Sequence, residues 1–274
     1  MKRLALISFC ISLLASTTFA DWTAPKWVQL PDVTTKGLDV RANSNVVLAD
    51  DFLCTENSPI TDIHLWGSWL HDILPGGGEG NVTFNLSIHS DIPQGQNGSN
   101  YSRPGNLLWN KTFNPGQFAV RPYLTGLAEG WYDPSTGTYI PSDPQMGGPG
   151  DTKCWQYNFF IDPGEAFQQQ GTPQEPKVYW LDVMAVVQQG ENAVFGWKTS
   201  MQHWNDDAVW MMSEQIGWQE LKYLSGHPLE GKSIDLAFVI TPEPATILLL
   251  GTGWLVVLAR KKRTKGLTQV ILKK

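Results

Sequence analysis

The stretch Val82-Thr83-Phe84-Asn85-Leu86-Ser87-Ile88-His89 alternates apolar and polar side chains without a break. Successive side chains of a strand point to opposite faces, so Val82, Phe84, Leu86 and Ile88 form one buried stripe and their neighbours face water. The same period runs through Trp155, Tyr157, Phe159 and Ile161, and again through Ile234, Leu236, Phe238 and Ile240. The run from Val178 to Val187 is apolar on nearly both faces, with Asp182 the exception. It therefore reads as a central strand. Further strands are expected over Val46–Leu53, Ile60–Leu70, Leu107–Phe113, Gln117–Leu124, Ala193–Thr199, Val209–Met212 and Gln219–Leu224, about eleven in all. Turn signals separate them, among them Pro75-Gly76-Gly77-Gly78, Asn114-Pro115-Gly116 and Gly147-Gly148-Pro149-Gly150. One short helical turn is expected over Pro163–Gln169. The expected fold is all-β: a single jelly-roll-like antiparallel β-sandwich over residues 21–241, with Asp21–Asn45 as an extended lead-in.

Composition agrees with that reading. The 274 residues carry 13 Trp, 26 Gly and 18 Pro, and only 17% are charged. So many aromatic residues exclude wholesale disorder, and the Gly and Pro content argues against a helix bundle. A net charge of −6 argues against nucleic acid as a partner, because phosphate contacts need a basic face.

The two ends have a different character. Met1-Lys2-Arg3, the apolar run Leu4–Leu14 and the small residues up to Ala20 form the three parts of a secretory signal peptide, residues 1–20. At the other end Pro242-Glu243-Pro244 precedes an apolar run from Ala245 to Ala259 and the cluster Arg260-Lys261-Lys262-Arg263. Fifteen helical residues reach about 22 Å, short of a bilayer core, and the basic cluster would stay on the cytoplasmic side. These three parts in this order resemble the PEP-CTERM sorting signal of Gram-negative bacteria. The resemblance implies a sorting segment over 242–264, and the basic tail at 265–274 extends past the usual end of such signals. It also implies passage through the secretion machinery, transient anchoring in the inner membrane, processing by an exosortase-type enzyme, and delivery to the cell envelope, cell surface or extracellular space. Once both ends are set aside, 11 basic and 25 acidic residues remain between 21 and 241, a net charge of −14.

The body carries a resemblance of its own. Leu48-Ala49-Asp50-Asp51-Phe52-Leu53-Cys54 and His203-Trp204-Asn205-Asp206-Asp207-Ala208-Val209-Trp210 are its distinctive phrases. They are similar to a domain-of-unknown-function family found in exported, PEP-CTERM-tagged proteins. That family implies an extracellular β-domain and supplies no activity or catalytic residue.

Candidate chemistry is sparse. Cys54 and Cys154 are the cysteines left after Cys10 departs with the signal peptide. In an oxidising compartment they read as a disulfide closing a loop of about 100 residues, worth ~4–5 kcal/mol, with two buried free thiols as the alternative. Asp206 and Asp207 beside His203 suit turn-building, cation or ligand binding, or acid/base work. Asp50 and Asp51 suit Ca²⁺ or the protection of a strand edge. No His-Glu-x-x-His, Gly-x-Ser-x-Gly or phosphate-binding Gly-rich loop occurs. Twelve of the tryptophans lie in the body, many for one core, and two or three of them are expected to be exposed. Trp204 and Trp210 beside the aspartates have the composition of a sugar-stacking site. The expected function is therefore a non-enzymatic structural or adhesive protein of the surface or extracellular polysaccharide. A carbohydrate-binding module using Trp204, Asp206, Asp207 and Trp210 is the alternative, and a glycan-cleaving enzyme the third reading.

Overall fold

The computed structural model describes residues 25–188, 190–212 and 217–241. The expected signal peptide and sorting segment lie outside the described residues. In chain order the strands are β1 (Trp27–Gln29), β2 (Leu38–Arg41), β3 (Val47–Cys54), β4 (Pro59–Ile60), β5 (Asp62–Trp69), β6 (Thr83–Ile92), β7 (Arg103–Phe113), β8 (Ala119–Asp133) and β9 (Thr138–Ile140). They continue as β10 (Asp151–Phe160), β11 (Phe167–Gln168), β12 (Lys177–Val186), β13 (Phe195–Ser200), β14 (Val209–Met211), β15 (Gln219–Glu220), β16 (Asp235–Leu236) and β17 (Phe238–Thr241). Among the described residues there are also three short 3₁₀ turns.

Two large sheets face each other, as the alternating runs require. One has six strands in the order β15-β14-β3-β12-β6-β7, and the other has nine. β12, the run apolar on both faces, lies between β3 and β6. Phe84 of β6 reaches across to Tyr157 and Phe159 of β10 and Phe195 of β13, with ring centroids 5.0, 5.3 and 5.1 Å away. These aromatic contacts between the two inner faces form the centre of the core.

The nine-stranded sheet has an unusual closure. Its order is β1-β17-β5-β10-β8-β2-β13-β16, with β9 on β8 and a further pairing of β13 to β5. The strands β5, β10, β8, β2 and β13 are thus joined edge to edge in a closed circuit. Every pairing in it is antiparallel except β2 with β8. Two glycines allow the closure. A Cβ on Gly67 would lie 2.4 Å from the Gly196 carbonyl, and a Cβ on Gly196 would lie 2.7 Å from the Trp131 ring. Only a residue without a side chain permits so close an approach.

Some expectations need correction. The segment 21–45 is more than a lead-in, because it holds β1 and β2. β2 carries Leu38 and Val40 into the core, but four residues are too few to show a period. β8 continues to Asp133, where Gly126, Ala128 and Gly130 interrupt the alternation. No helix forms over 163–169. Asp162 Oδ1 accepts from the Gly164 amide at 2.8 Å, and the chain turns into β11. Trp66 and Trp69, three positions apart on β5, pack into different clusters on its two faces, and both are buried. Among the eleven described tryptophans none is fully exposed: five are buried and six half-buried.

The disulfide is also absent. Cys54 and Cys154 are both free and buried. Cys54 closes β3 on the core side of the six-stranded sheet. Cys154 points away from that core, into a separate cluster with Trp66, Ala237 and Val239 on the nine-stranded sheet. A disulfide needs Cβ atoms about 4 Å apart, which two thiols on different sheets and different faces do not offer. Burial raises the Cys154 thiol well above its usual range. Both thiols are therefore expected to resist iodoacetamide in the folded protein and to react once it is unfolded without reductant, a difference that peptide mass mapping reads directly.

Candidate functional site

The His203–Asp207 segment follows β13 and closes over one end of the sandwich. It walls a pocket of about 330 Å³ together with Ser233 and Asp235. Asn205 holds the left-handed conformation at φ 59°, which Asn adopts more readily than most residues. That residue turns the chain so that the side chains on either side of it reach different partners.

Asp235 is the anchor. It is fully buried, and its carboxylate accepts from the Trp204 amide at 2.8 Å and from Gln29 Nε2 at 3.1 Å. His203 Nδ1 lies 2.8 Å from its other oxygen. Burial pushes its pKa up to about 6 in spite of these partners. Asp206 accepts from Ser102 Oγ and from Asn205 Nδ2. Asp207 accepts from Ser233 Oγ, and Lys222 lies 3.7 Å away. Burial, then the charge of Glu220, raises Asp207. Every pocket carboxylate is therefore already engaged in holding the loop.

Trp204 is half-buried on this rim and meets Trp27 edge-to-face at 5.0 Å. Trp210 does not join it. It sits on β14 opposite Leu48, and its ring packs against the core. Of the four residues expected to bind ligand, the fold thus brings together Trp204, Asp206 and Asp207 and leaves Trp210 out.

Asp50 and Asp51 support this site from below. They are adjacent on β3 and so face opposite ways. Asp50 accepts from the Leu236 amide at 2.6 Å on the inner side. Asp51 accepts from Asn205 Nδ2 at 2.6 Å on the outer side. Burial, reinforced by Asp235 and by Asp51, pushes Asp50 well above the carboxylate range. Burial likewise pushes Asp51 up to about 8, although the Asn205 hydrogen bond opposes it. The two do not converge on one point, so they do not form the shared Ca²⁺ site their adjacency suggested. They join β3 to the pocket loop and to β16.

A second polar group was not visible in the sequence. An oxygen from each of Asp39 (β2), Glu129 (β8) and Asp151 (β10) lies within 4.8 Å of the other two. Lys198 (β13) places Nζ 2.6 Å from Asp39 Oδ2 and 2.6 Å from Glu129 Oε2. The backbones of β2 and β10 flank β8 and are about 10 Å apart. Two short aspartates on them can meet only on the concave side of the closed circuit. Burial pushes Glu129 up to about 7 and Asp151 up to about 10. For Lys198, burial acts downward, but Asp39, Glu129 and Asp151 outweigh it and the ammonium is stabilised. Residues 39, 129, 151 and 198 are far apart in the chain and share no motif.

Fold and pocket together define a β-sandwich domain with a small polar pocket walled by the His203–Asp207 loop, Ser233 and Asp235. Residues 25–241 match the model of the domain-of-unknown-function family DUF7901, and the chain belongs to that family. Residues 241–263 match the PEP-CTERM protein-sorting motif. That motif makes the chain an exported protein of the cell envelope and a substrate for exosortase-type processing. No curated protein and no solved structure matches the chain. No helix among the described residues is long and apolar enough to cross a membrane.

Proposed function

We propose that the domain is a non-catalytic adhesive module that holds extracellular polysaccharide at the cell surface, with the His203–Asp207 pocket taking a short stretch of sugar. The observation that carries this reading is the composition of the pocket wall. One half-buried indole stands beside polar groups whose positions are fixed by internal hydrogen bonds. Sugars present alternating C–H faces and hydroxyls, so a fixed ring with hydroxyl-matching groups around it suits them. The same hydrogen bonds argue against catalysis. A glycan-cleaving pair needs one free acid and one free carboxylate. Asp235 is buried with both oxygens occupied, and Asp206 and Asp207 are held by Ser102 and Ser233. The sorting motif supports the adhesive reading, because an exported protein of the cell envelope can meet extracellular polymers.

The test is a polysaccharide and oligosaccharide binding panel with the wild-type chain and Trp204→Ala. A glycan that binds wild type is expected to bind the variant roughly tenfold more weakly, the worth of one stacked ring. Binding that is unchanged in Trp204→Ala removes the pocket from the account. Turnover of any glycan, lost in Asp207→Asn, replaces adhesion with hydrolysis.

A further inference from the structure

We infer that Lys198 and Asp39 become joined by an intramolecular amide bond, a covalent cross-link between β13 and β2 formed by the folded chain itself. The argument starts from position. Asp39 and Lys198 are direct cross-strand partners, and Lys198 Nζ is 2.6 Å from Asp39 Oδ2. An amine that close to a carboxyl oxygen is within bonding reach of the carboxyl carbon after a small rotation. Both side chains are fully buried, so no bulk water competes as nucleophile or drives hydrolysis back. The tryptophans Trp131 and Trp66 lie on the same side of the circuit.

The neighbouring acids supply the proton chemistry. Glu129 Oε2 is also 2.6 Å from Lys198 Nζ and titrates near neutrality, so it can accept a proton from the ammonium and return it. Asp151 stays protonated at neutral pH and faces Asp39, where its O–H can polarise the carboxyl group under attack. Among the described residues, both Asp151 oxygens and Asp39 Oδ1 otherwise have no hydrogen-bond partner. In the reaction the Nζ lone pair forms the new bond to Asp39 Cγ, and one Cγ–O bond breaks. Two of the three ammonium protons leave with that oxygen as water, carried through Glu129. The third remains on the amide nitrogen. No oxidant, reductant or cofactor is needed. The product replaces a buried ion pair, whose desolvation is costly, with a neutral amide. The stabilised ammonium makes the step slow, which suffices for a bond made once in the life of each chain.

The cross-link is independent of the pocket and of any sugar. It fits a protein that must persist outside the cell, because it locks the circuit at β2, the short strand that holds the parallel pairing to β8.

The experiment is tryptic mapping of the purified, denatured full chain. Trypsin cuts after Lys36 and Arg41, which releases Asp39 within the peptide Gly37–Arg41. Expected is that peptide attached to the 178–222 peptide, with no cleavage after Lys198 and a combined mass lower by one water. Separate linear peptides, with normal cleavage after Lys198, overturn the cross-link and leave a buried ion pair. Glu129→Gln is the second variant. Linear peptides from folded Glu129→Gln support Glu129 as the proton carrier, and full cross-linking in it overturns that role.

Discussion

Replacing Lys198 with methionine is expected to lower the unfolding free energy by about 3–5 kcal/mol, read as a fall in the urea midpoint. Methionine fills much of the volume of lysine, so the loss does not come from a cavity. Before the cross-link forms it comes from charge, and in the cross-linked chain the missing amide adds to it. In the ion-paired chain Lys198 is the cation beside Asp39 and Glu129, and all three groups are fully buried. Without it the Asp39 and Glu129 carboxyls must lie uncompensated in a low-dielectric interior or take up protons at a cost. Asp151→Asn is the control. Asp151 is already protonated at neutral pH, so the amide changes no charge and is expected to cost less than about 1 kcal/mol. A Lys198→Met midpoint equal to that of wild type would show that the carboxyls are solvated or otherwise neutralised.

The second large effect is on pH. Asp235, Glu129 and Asp51 titrate near 6, 7 and 8, each raised chiefly by burial. In the unfolded chain the same carboxyls titrate near 4. The folded protein therefore holds protons that the unfolded chain has released. The stability they contribute is present in full below about pH 4 and is lost as pH rises through 6, 7 and 8. His89, raised by Asp182 despite burial, adds to this trend, and His227, lowered by burial, offsets part of it. Asp133, lowered by Ser135 and Arg41 against its burial, acts only on the acid side of pH 4. Asp151, raised by burial to about 10, keeps its proton across this range and adds to the fall. Each proton is worth about 1.4 kcal/mol per pH unit, so stability at pH 8.5 is expected to be at least about 5 kcal/mol below that at pH 5.5. Urea midpoints across that range check it, and Glu129→Gln should flatten the slope near neutrality. A midpoint that rises toward pH 8.5 would contradict the buried placement of these acids.

The strands that could be read from sequence are those whose burial is one-sided. Phe84, Leu86 and Ile88 face the core and their neighbours face out, so period alone locates β6. β12 declared itself by being apolar on both faces. β2 and the distal half of β8 stayed hidden because their second face is also buried, against polar groups of the circuit. Asp39 and Glu129 there, like Lys198 on β13, look like solvated residues in the sequence. The same reversal misled the reading of cysteine. Compartment and count suggested one bridge, but Cys154 faces the circuit while Cys54 faces the main core.

The two polar groups differ for a related reason. His203 to Asp207 are contiguous, so the sequence could nominate the loop, although not which members share a pocket. Trp204 and Trp210 looked equivalent until β14 paired Trp210 with Leu48 and turned it inward. Asp39, Glu129, Asp151 and Lys198 come from four strands, and only the edge-to-edge closure of β13 on β5 makes a concave side on which they meet.

By itself the amino-acid order determined the strand-rich class, the acidic body and the sorting motif at its end, because each depends on local composition or on a period within one segment. The tertiary structure decided which carboxylates are buried together, which tryptophan reaches the pocket rim and which thiols never meet. Those outcomes depend on strand register and sheet curvature, which bring residues more than a hundred positions apart to within a few ångströms.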